Sequence, residues 1–473
     1  MNSSILRRGY IVNSSVFLAI LLGILIGMAT IIPELLYLIL GGLTFVFFSF
    51  YIYSNPKKGL VILFFGFLLN PMIVSKVIPT IFHLSPSMSD ILGMWKEWIL
   101  LLLTCRVLSS RKTTKRNPII IFVIVLMAYG LIYIFVNKSF TQGVMGYRYY
   151  FEAMILFFIL GKMQVDNDFL KRFLKIFSGF IFLMGMWSLL VSLFLGYNFM
   201  FSVGYTNYGG VPHFSYLVSG HTGLLRTFGT LSAPNNYGVF LVISILLLII
   251  FKDMFKRKVF LNINLVLQLV LLTLTYSRSA WIGLLLSLVV YFIISNPKTK
   301  IKFIVAFFLG ISGFVIYCLR EPNNPAIAFF MSTVTLRDTS AAGHLNSWAE
   351  DIQFILNHPF GIGLGKAGPK AFAITGVYLN PEMSFYTVAY EMGILGMLLF
   401  LVFNVFAIFY LFKKFKITVK VNFLHSRLYL LAGLSWLVLV VSYLFLPMIQ
   451  EMEVTLIPYF ITALAMNYKY KVD

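Results

Sequence analysis

Apolar residues in this chain come in long unbroken runs separated by short polar segments, with no strict alternation. A run of roughly 17–25 apolar residues, wound as a helix, crosses the ~30 Å hydrocarbon core of a bilayer. Fourteen runs are legible, at 10–28, 35–53, 59–75, 91–107, 118–136, 148–162, 173–195, 236–251, 259–276, 279–295, 303–319, 384–412, 428–446 and 453–467. The fourth and ninth connections are short, so a count of twelve or thirteen is also compatible with the pattern. Barrel strands would be shorter and would alternate, and in lipid only helices and closed barrels satisfy their own backbone. The pattern therefore predicts an all-α, polytopic integral membrane bundle of about 12–14 transmembrane helices, a single domain over 1–473. The first run does not resemble a cleavable signal, being long and without a small-residue cleavage site after it.

Two longer polar stretches interrupt the runs, at 196–235 and 320–383, and both are expected to be external loops. Loops of this length are commonly functional. The first is rich in Gly, Tyr, Ser and Asn and carries one cation, Arg226, and no acid. In the second, Leu345, Trp348, Ile352 and Ile355/Leu356 recur at helical spacing, which predicts an amphipathic surface helix over 341–357. His344, Ser347 and Asp351 fall on another face of it, and Pro359 with Gly361, Gly363 and Gly365 ends it.

Composition agrees with the pattern: 60% of the 473 residues are hydrophobic and 11% charged, with a mean hydropathy of +0.90. A net charge of +21 raises the question of nucleic acid, and the placement of the charge answers it. With the N-terminus inside, 27 of the 37 basic residues fall at inner ends, nine at outer ends, and Lys96 within a run. That is the asymmetry by which cytoplasmic Lys and Arg orient membrane proteins, so the excess is topological and no nucleic acid partner is expected. The reading gives a multi-pass protein of a bacterial cytoplasmic membrane with both termini cytoplasmic. Cys105 and Cys318 fall near opposite faces, which excludes a disulfide between them, and no Cys/His spacing suggests a metal. Asn137-Lys-Ser matches a glycosylation acceptor by chance.

The chemistry sits where charge meets the predicted outer rim. Arg278, in Thr-Tyr-Ser-Arg-Ser, is the lone charge between two apolar runs. A charge near a membrane helix is costly, so such an arginine faces a polar cavity or an anion, and its planar fork suits phosphate oxygens. Tyr276, Ser277 and Ser279 surround it. Arg226 reads either as a second phosphate ligand or as a side chain reaching the headgroups; Asn235 follows it closely, and Arg148, Arg320 and Arg337 are weaker candidates of the same kind. Glu382, at the start of a run, reads either as a general base or as a carboxylate favoured by a helix N-terminus. Glu391 is ambiguous in the same way, and His344 could be a base or a sugar contact. Tyr205, Tyr208, Tyr216, Trp348, Tyr378 and Tyr386 offer faces for sugar rings, although aromatics also gather at membrane interfaces without a ligand. Gly363-Leu-Gly365-Lys-Ala-Gly368 matches a dinucleotide fingerprint by letter, but no strand precedes it, and it reads as a turn.

These pieces, taken in order, are Arg226-x-x-Gly229…Pro234-Asn235, Tyr276-Ser277-Arg278, His344-x-x-x-Trp348…Pro359-Phe-Gly361-x-Gly363-x-Gly365 and Glu382…Glu391-x-Gly393-x-x-Gly396. Their order and spacing resemble the bacterial O-antigen ligase and polymerase superfamily, and within it the O-antigen or capsular polysaccharide polymerases of the Wzy type. Ligases of that superfamily carry a histidine eleven residues before the Gly-x-x-Gly turn; here that position is Glu382, followed by Met383. The resemblance thus implies a polymerase of O-antigen, capsule or related repeat units in preference to a ligase, with a flippase or anion transporter as a rival class. It implies glycosyl transfer from an undecaprenyl-diphosphate-linked glycan to a lipid-linked repeat unit, with no cofactor or metal. Lipid-linked oligosaccharides, membrane lipid, a chain-length regulator and a flippase are the partners it implies. Arg278 and Arg226 would grip the donor diphosphate. Glu382 or His344 would take the acceptor proton, and Asn235, Arg337, Arg148, Tyr276 and the loop tyrosines would position substrate.

Overall fold

A computed structural model describes residues 33–109, 117–137, 139–205, 225–295, 339–371 and 379–469, with Gly313, Ile316, Arg320 and Gly376. The run at 10–28, all but two residues of the run at 303–319, Arg337, Tyr208, Tyr216, Tyr378, Cys318 and the side chain of His344 lie outside what it describes. Helices follow the apolar runs: α1 (Pro33–Ser54), α2 (Pro56–Met72, continuing through a π turn to Ile81), α3 (Pro86–Gly93), α4 (Trp95–Leu108), α5 (Pro118–Phe135), α6 (Phe140–Gly161), α7 (Asn167–Leu190), α8 (Gly196–Ser202), α9 (Pro234–Ile250), α10 (Lys258–Leu274), α11 (Arg278–Ser295), α12 (Thr339–Asn357), α13 (Ser384–Thr418), α14 (Phe423–Tyr443) and α15 (Met452–Asn467). Among the described residues six stretches are long and apolar enough to cross a membrane: Pro56–Ile81, α5, α6, Asn167–Leu195, α13 and α14. Among the described residues no strand forms beyond a lone Val165–Tyr468 bridge. The protein is an all-α polytopic membrane protein, as the pattern predicts.

Helix starts obey local chemistry. Asn117, Ser139, Asp166 and Asn422 each accept a hydrogen bond from a first-turn amide of α5, α6, α7 and α14, which satisfies one of the donors a helix start leaves open.

The chain divides into two compact units. In the smaller, residues up to Leu63 with Glu97–Ser110, Trp98 Nε1 donates to Ser49 Oγ (2.8 Å) and its ring lies against Phe45. In the larger, Phe64–Lys96 with 111–473, the core is built on α9, α14 and α15. Every residue of α9 except Asn235 and Ile249 is buried, as expected of a helix apolar on all sides. Gly238 lets α9 approach α11 closely, since a Cβ there would come within 2.8 Å of the Ala280 Cβ. The outward faces of α5 and α13 stay apolar, with Ile121, Ile132, Phe135, Leu395, Val402 and Phe409 exposed, which suits contact with lipid chains.

Two features go beyond the apolar pattern. First, α13 is broken at Gly393, whose φ of 74° and ψ of 177° are not helical. The break frees backbone groups, and the 359–363 segment takes them up: Ile362 and Gly363 amides donate to the Tyr390 (2.7 Å) and Glu391 (3.0 Å) carbonyls, and Ile394 donates to Pro359 (2.9 Å). Second, α12 packs on α13 through only part of the apolar stripe. Ile355 is buried and Phe354 stacks on Tyr390 at 4.0 Å, but Ile352 and Leu356 are exposed. Asp351 turns inward because both carboxylate oxygens find donors, Tyr390 Oη at 2.7 Å and the Glu382 amide at 3.1 Å. Burial pushes this carboxyl above its usual range, against the pull of those two hydrogen bonds.

Candidate functional site

The α10–α11 turn is the first part of the site. A helix leaves its last carbonyls without partners, and at α10 the segment around Arg226 supplies them. The Thr227 amide donates to Leu274 O (3.0 Å), Thr227 Oγ1 to Leu271 O (3.2 Å) and Arg226 Nε to Thr275 O (2.8 Å). A cation at a helix C-terminus also suits the helix dipole. Tyr276 turns the chain with φ of 51°, a left-handed conformation uncommon for a side chain of this size, and Arg278 then opens α11.

Arg226 Nη2 donates to Asn235 Oδ1 at 2.9 Å, at the start of α9. Arg278 lies close enough that, with burial as the larger cause, it holds the Arg226 guanidinium down to about 10. Two arginines thus share one end of α9, α10 and α11. The structure thus brings together Arg226, Arg278, Asn235 and Tyr276.

One residue along from Asn235 is a cluster that no sequence motif signals. Asn236 Nδ2 donates to Ser232 Oγ (2.6 Å) and to Glu453 Oε1 (3.3 Å). Ser232 hydrogen-bonds Glu453 Oε1 through its hydroxyl and Glu451 Oε2 at 3.1 Å. Glu451 Oε2 also pairs with Lys370 Nζ at 3.0 Å. Burial alone would lower the Lys370 ammonium; the charges of Glu451 and Glu453 outweigh it and the net direction is up, so Lys370 keeps its proton. Burial pushes Glu451 up, and the Glu453 charge adds to this against the pull of Lys370. Tyr149, next to Arg148 on α6, faces Lys370, and the Arg148 guanidinium lies 5.2 Å from the Tyr149 ring. The signal available in the sequence was Glu451-Met-Glu453 opening the last run, in a chain with 16 acids against 37 bases.

Lys370 is held in place by the glycine-rich loop. Glu391 Oε1 accepts the amides of Lys366 and Ala367, each at 2.7 Å. Gln450 Oε1 accepts the Lys370 amide (3.2 Å) while its Nε2 donates to Ala367 O (2.8 Å). Asn137 and Gln142 donate to the Leu364 and Gly365 carbonyls. Gly146 allows α6 to meet this loop: a Cβ there would lie 2.3 Å from the Gly365 amide nitrogen.

The sequence candidates therefore separate. Glu382 belongs to the Asp351 junction, half-buried, with its amide on that carboxylate. The backbone of His344 lies in α12. Among the described residues no three His, Cys, Asp or Glu side chains gather as a metal site.

The fold and this cluster define a class: a polytopic membrane protein with a polar, strongly charged site at the ends of its core helices. Residues 263–401 match the family described as O-Antigen ligase, a stretch that includes Arg278, the glycine-rich loop and the α13 break. An O-antigen polymerase of Salmonella muenchen is 26% identical over 264 residues, which cover 54% of this chain and 65% of that protein. The chain is thus similar to O-antigen ligases over residues 263–401 and to an O-antigen polymerase over about half its length.

Proposed function

We propose that this protein joins lipid-linked oligosaccharide repeat units by glycosyl transfer at the outer face of a bacterial cytoplasmic membrane. The observation that carries this reading is the pairing of Arg226 and Arg278 at one end of the core helices, with Arg226 fixed on Thr275 O and Asn235 Oδ1. Two forks of this kind suit the oxygens of a diphosphate, by charge-assisted and bidentate contacts. The similarity to an O-antigen polymerase supports the same substrate class.

In this reading the donor is a glycan on undecaprenyl diphosphate and the acceptor a single lipid-linked repeat unit. The diphosphate is already an activated leaving group, and fixed guanidinium groups stabilise its departing charge electrostatically. Neither nucleotide nor metal is required by that chemistry. Asn235, Arg148 and Tyr276 position substrate, a role the sequence also assigns to Arg337. The acceptor proton passes to a carboxylate, for which Glu382 is one candidate and His344 an alternative base. A chain-length regulator and a flippase act beside it in the membrane.

A strain deleted for this gene, with its glycans resolved on a gel, tests the reading. Loss of the ladder with single repeat units remaining is the expected result. Long chains accumulating on the carrier lipid would mark a ligase, and an unchanged profile would exclude both reactions.

A further inference from the structure

Glycosyl transfer needs a place for the acceptor's proton as well as a grip on the departing phosphate. The arginine pair supplies only the grip. Asn235 and Asn236 open α9 side by side, with Asn235 on Arg226 and Asn236 on Ser232 and Glu453. Consecutive Cα atoms stand about 3.8 Å apart, so one dipeptide couples the cations to the carboxylates. Glu451 Oε2 is taken by Lys370 and Ser232, and its carboxylate meets that of Glu453. Glu382, by contrast, sits at the Asp351 junction.

We propose that Glu451, coupled to Glu453 through Ser232, takes the proton of the acceptor sugar's hydroxyl beside the Arg226–Arg278 grip. The assignment rests on the glycosyl-transfer reading. The acceptor O–H bond breaks as its oxygen forms a bond to the donor anomeric carbon, and the proton passes to the Glu451 carboxylate. The bond from that carbon to the diphosphate oxygen breaks, and its electron pair leaves with undecaprenyl diphosphate, whose added charge faces the two arginines. The proton then passes to water or to the departing diphosphate.

Glu453 and Lys370 are positioning residues. Two carboxylates this close resist joint ionisation and titrate as a pair. The charged and titratable groups around Glu451 are Glu453 on α15 and Lys370 on the glycine-rich loop. Lys76 of α2 and Tyr149 of α6 stand behind Lys370, and Arg226 and Arg278 lie across the Asn235–Asn236 step. Burial already raises the Glu451 carboxyl, which suits a group that must accept a proton near neutral pH.

The full-length protein, reconstituted in vesicles with purified undecaprenyl-diphosphate-linked repeat units, gives the test. Glu451→Gln is expected to slow polymerisation roughly 100-fold or more, the usual scale for loss of a positioned base. Carrier-linked glycan should still copurify with it, since the arginine grip is intact. Glu451→Asp should recover part of the rate. Lys370→Gln should move the acid limb of the pH–rate profile upward, because removing the cation raises the carboxyl it faces. If Glu451→Gln does not accumulate, Glu451→Asp and Lys370→Gln decide: an acid limb unchanged in both overturns the assignment. It is equally overturned if Glu451→Gln polymerises like wild type while Glu382→Gln does not. Absence of product from the wild-type protein would strike the polymerase reading itself.

Discussion

Arg226 is an arginine held against its own interest. Half-buried and beside Arg278, it is charged at neutral pH but at about 10 rather than its ordinary value. A cation with a lowered folded-state value costs stability at every pH below that value, and the cost disappears only in strong alkali, so a bound anion is the practical relief. Inorganic pyrophosphate should therefore raise the melting temperature of the detergent-solubilised protein, by an amount worth about 2.7 kcal/mol at 100 times its Kd. The shift should vanish in Arg278→Gln; a shift that persists would show that the anion binds elsewhere. Arg278→Lys keeps the charge and loses the fork, so polymerisation in vesicles should drop by about tenfold, the scale of 1.4 kcal/mol, with insertion unchanged. At this scale the sequence was half readable. Lone arginines at the edges of apolar runs stand out, because a membrane leaves few other reasons for them. Glu451 and Glu453 did not stand out, because acids opening a helix are ordinary and their partner Ser232 lies 219 and 221 residues away.

At the scale of elements, apolar length dictated the long helices, although α2, α6, α7, α13 and α14 each extend five to eight residues past their runs and α8 forms inside a segment expected to be loop. The exception with consequence is α13, which reads as one continuous run yet bends at Gly393. A bend of this kind is invisible to hydropathy, since Gly393 is one of many glycines and the 359–363 segment that completes it comes some thirty positions earlier. The conformation is one that glycine alone adopts readily, and a side chain there costs of order 1–3 kcal/mol from strain. A Cβ would also stand 2.6 Å from the Pro359 carbonyl oxygen. Gly393→Ala should thus lower thermal stability by at least that amount and loosen the loop that carries Lys370. A melting curve matching wild type would show that the bend is not needed. On α12 periodicity marks the apolar stripe, of which Ile355 packs inward, but not that two donors hold Asp351 against α13 as well.

For the molecule as a whole, the distribution of basic residues sets an orientation that can be measured directly. Reporter fusions after Met254 and after Asn422, in turns rich in Lys and Arg, should be active with a cytoplasmic reporter. Fusions after Gly368 and after Pro447 should be active with a reporter that works only outside. Reversed activities would put the charged site on the cytoplasmic face and rule out transfer to externalised repeat units.

The four helices whose ends build that site are short. α9, α10, α11 and α15 have 17, 17, 18 and 16 residues. At 1.5 Å per residue they span only ~24–27 Å, less than the ~30 Å of a typical hydrocarbon core. Such hydrophobic mismatch is met by thinning the bilayer around the protein or by drawing polar ends below the headgroups. The arginine pair would then lie in a dimple of the leaflet. A carrier whose tail stays among the lipid chains would reach it by diffusing sideways into thinner membrane, without lifting its tail into water. In membranes of longer-chain lipids the dimple costs more to keep open, and chain growth should slow as the bilayer thickens.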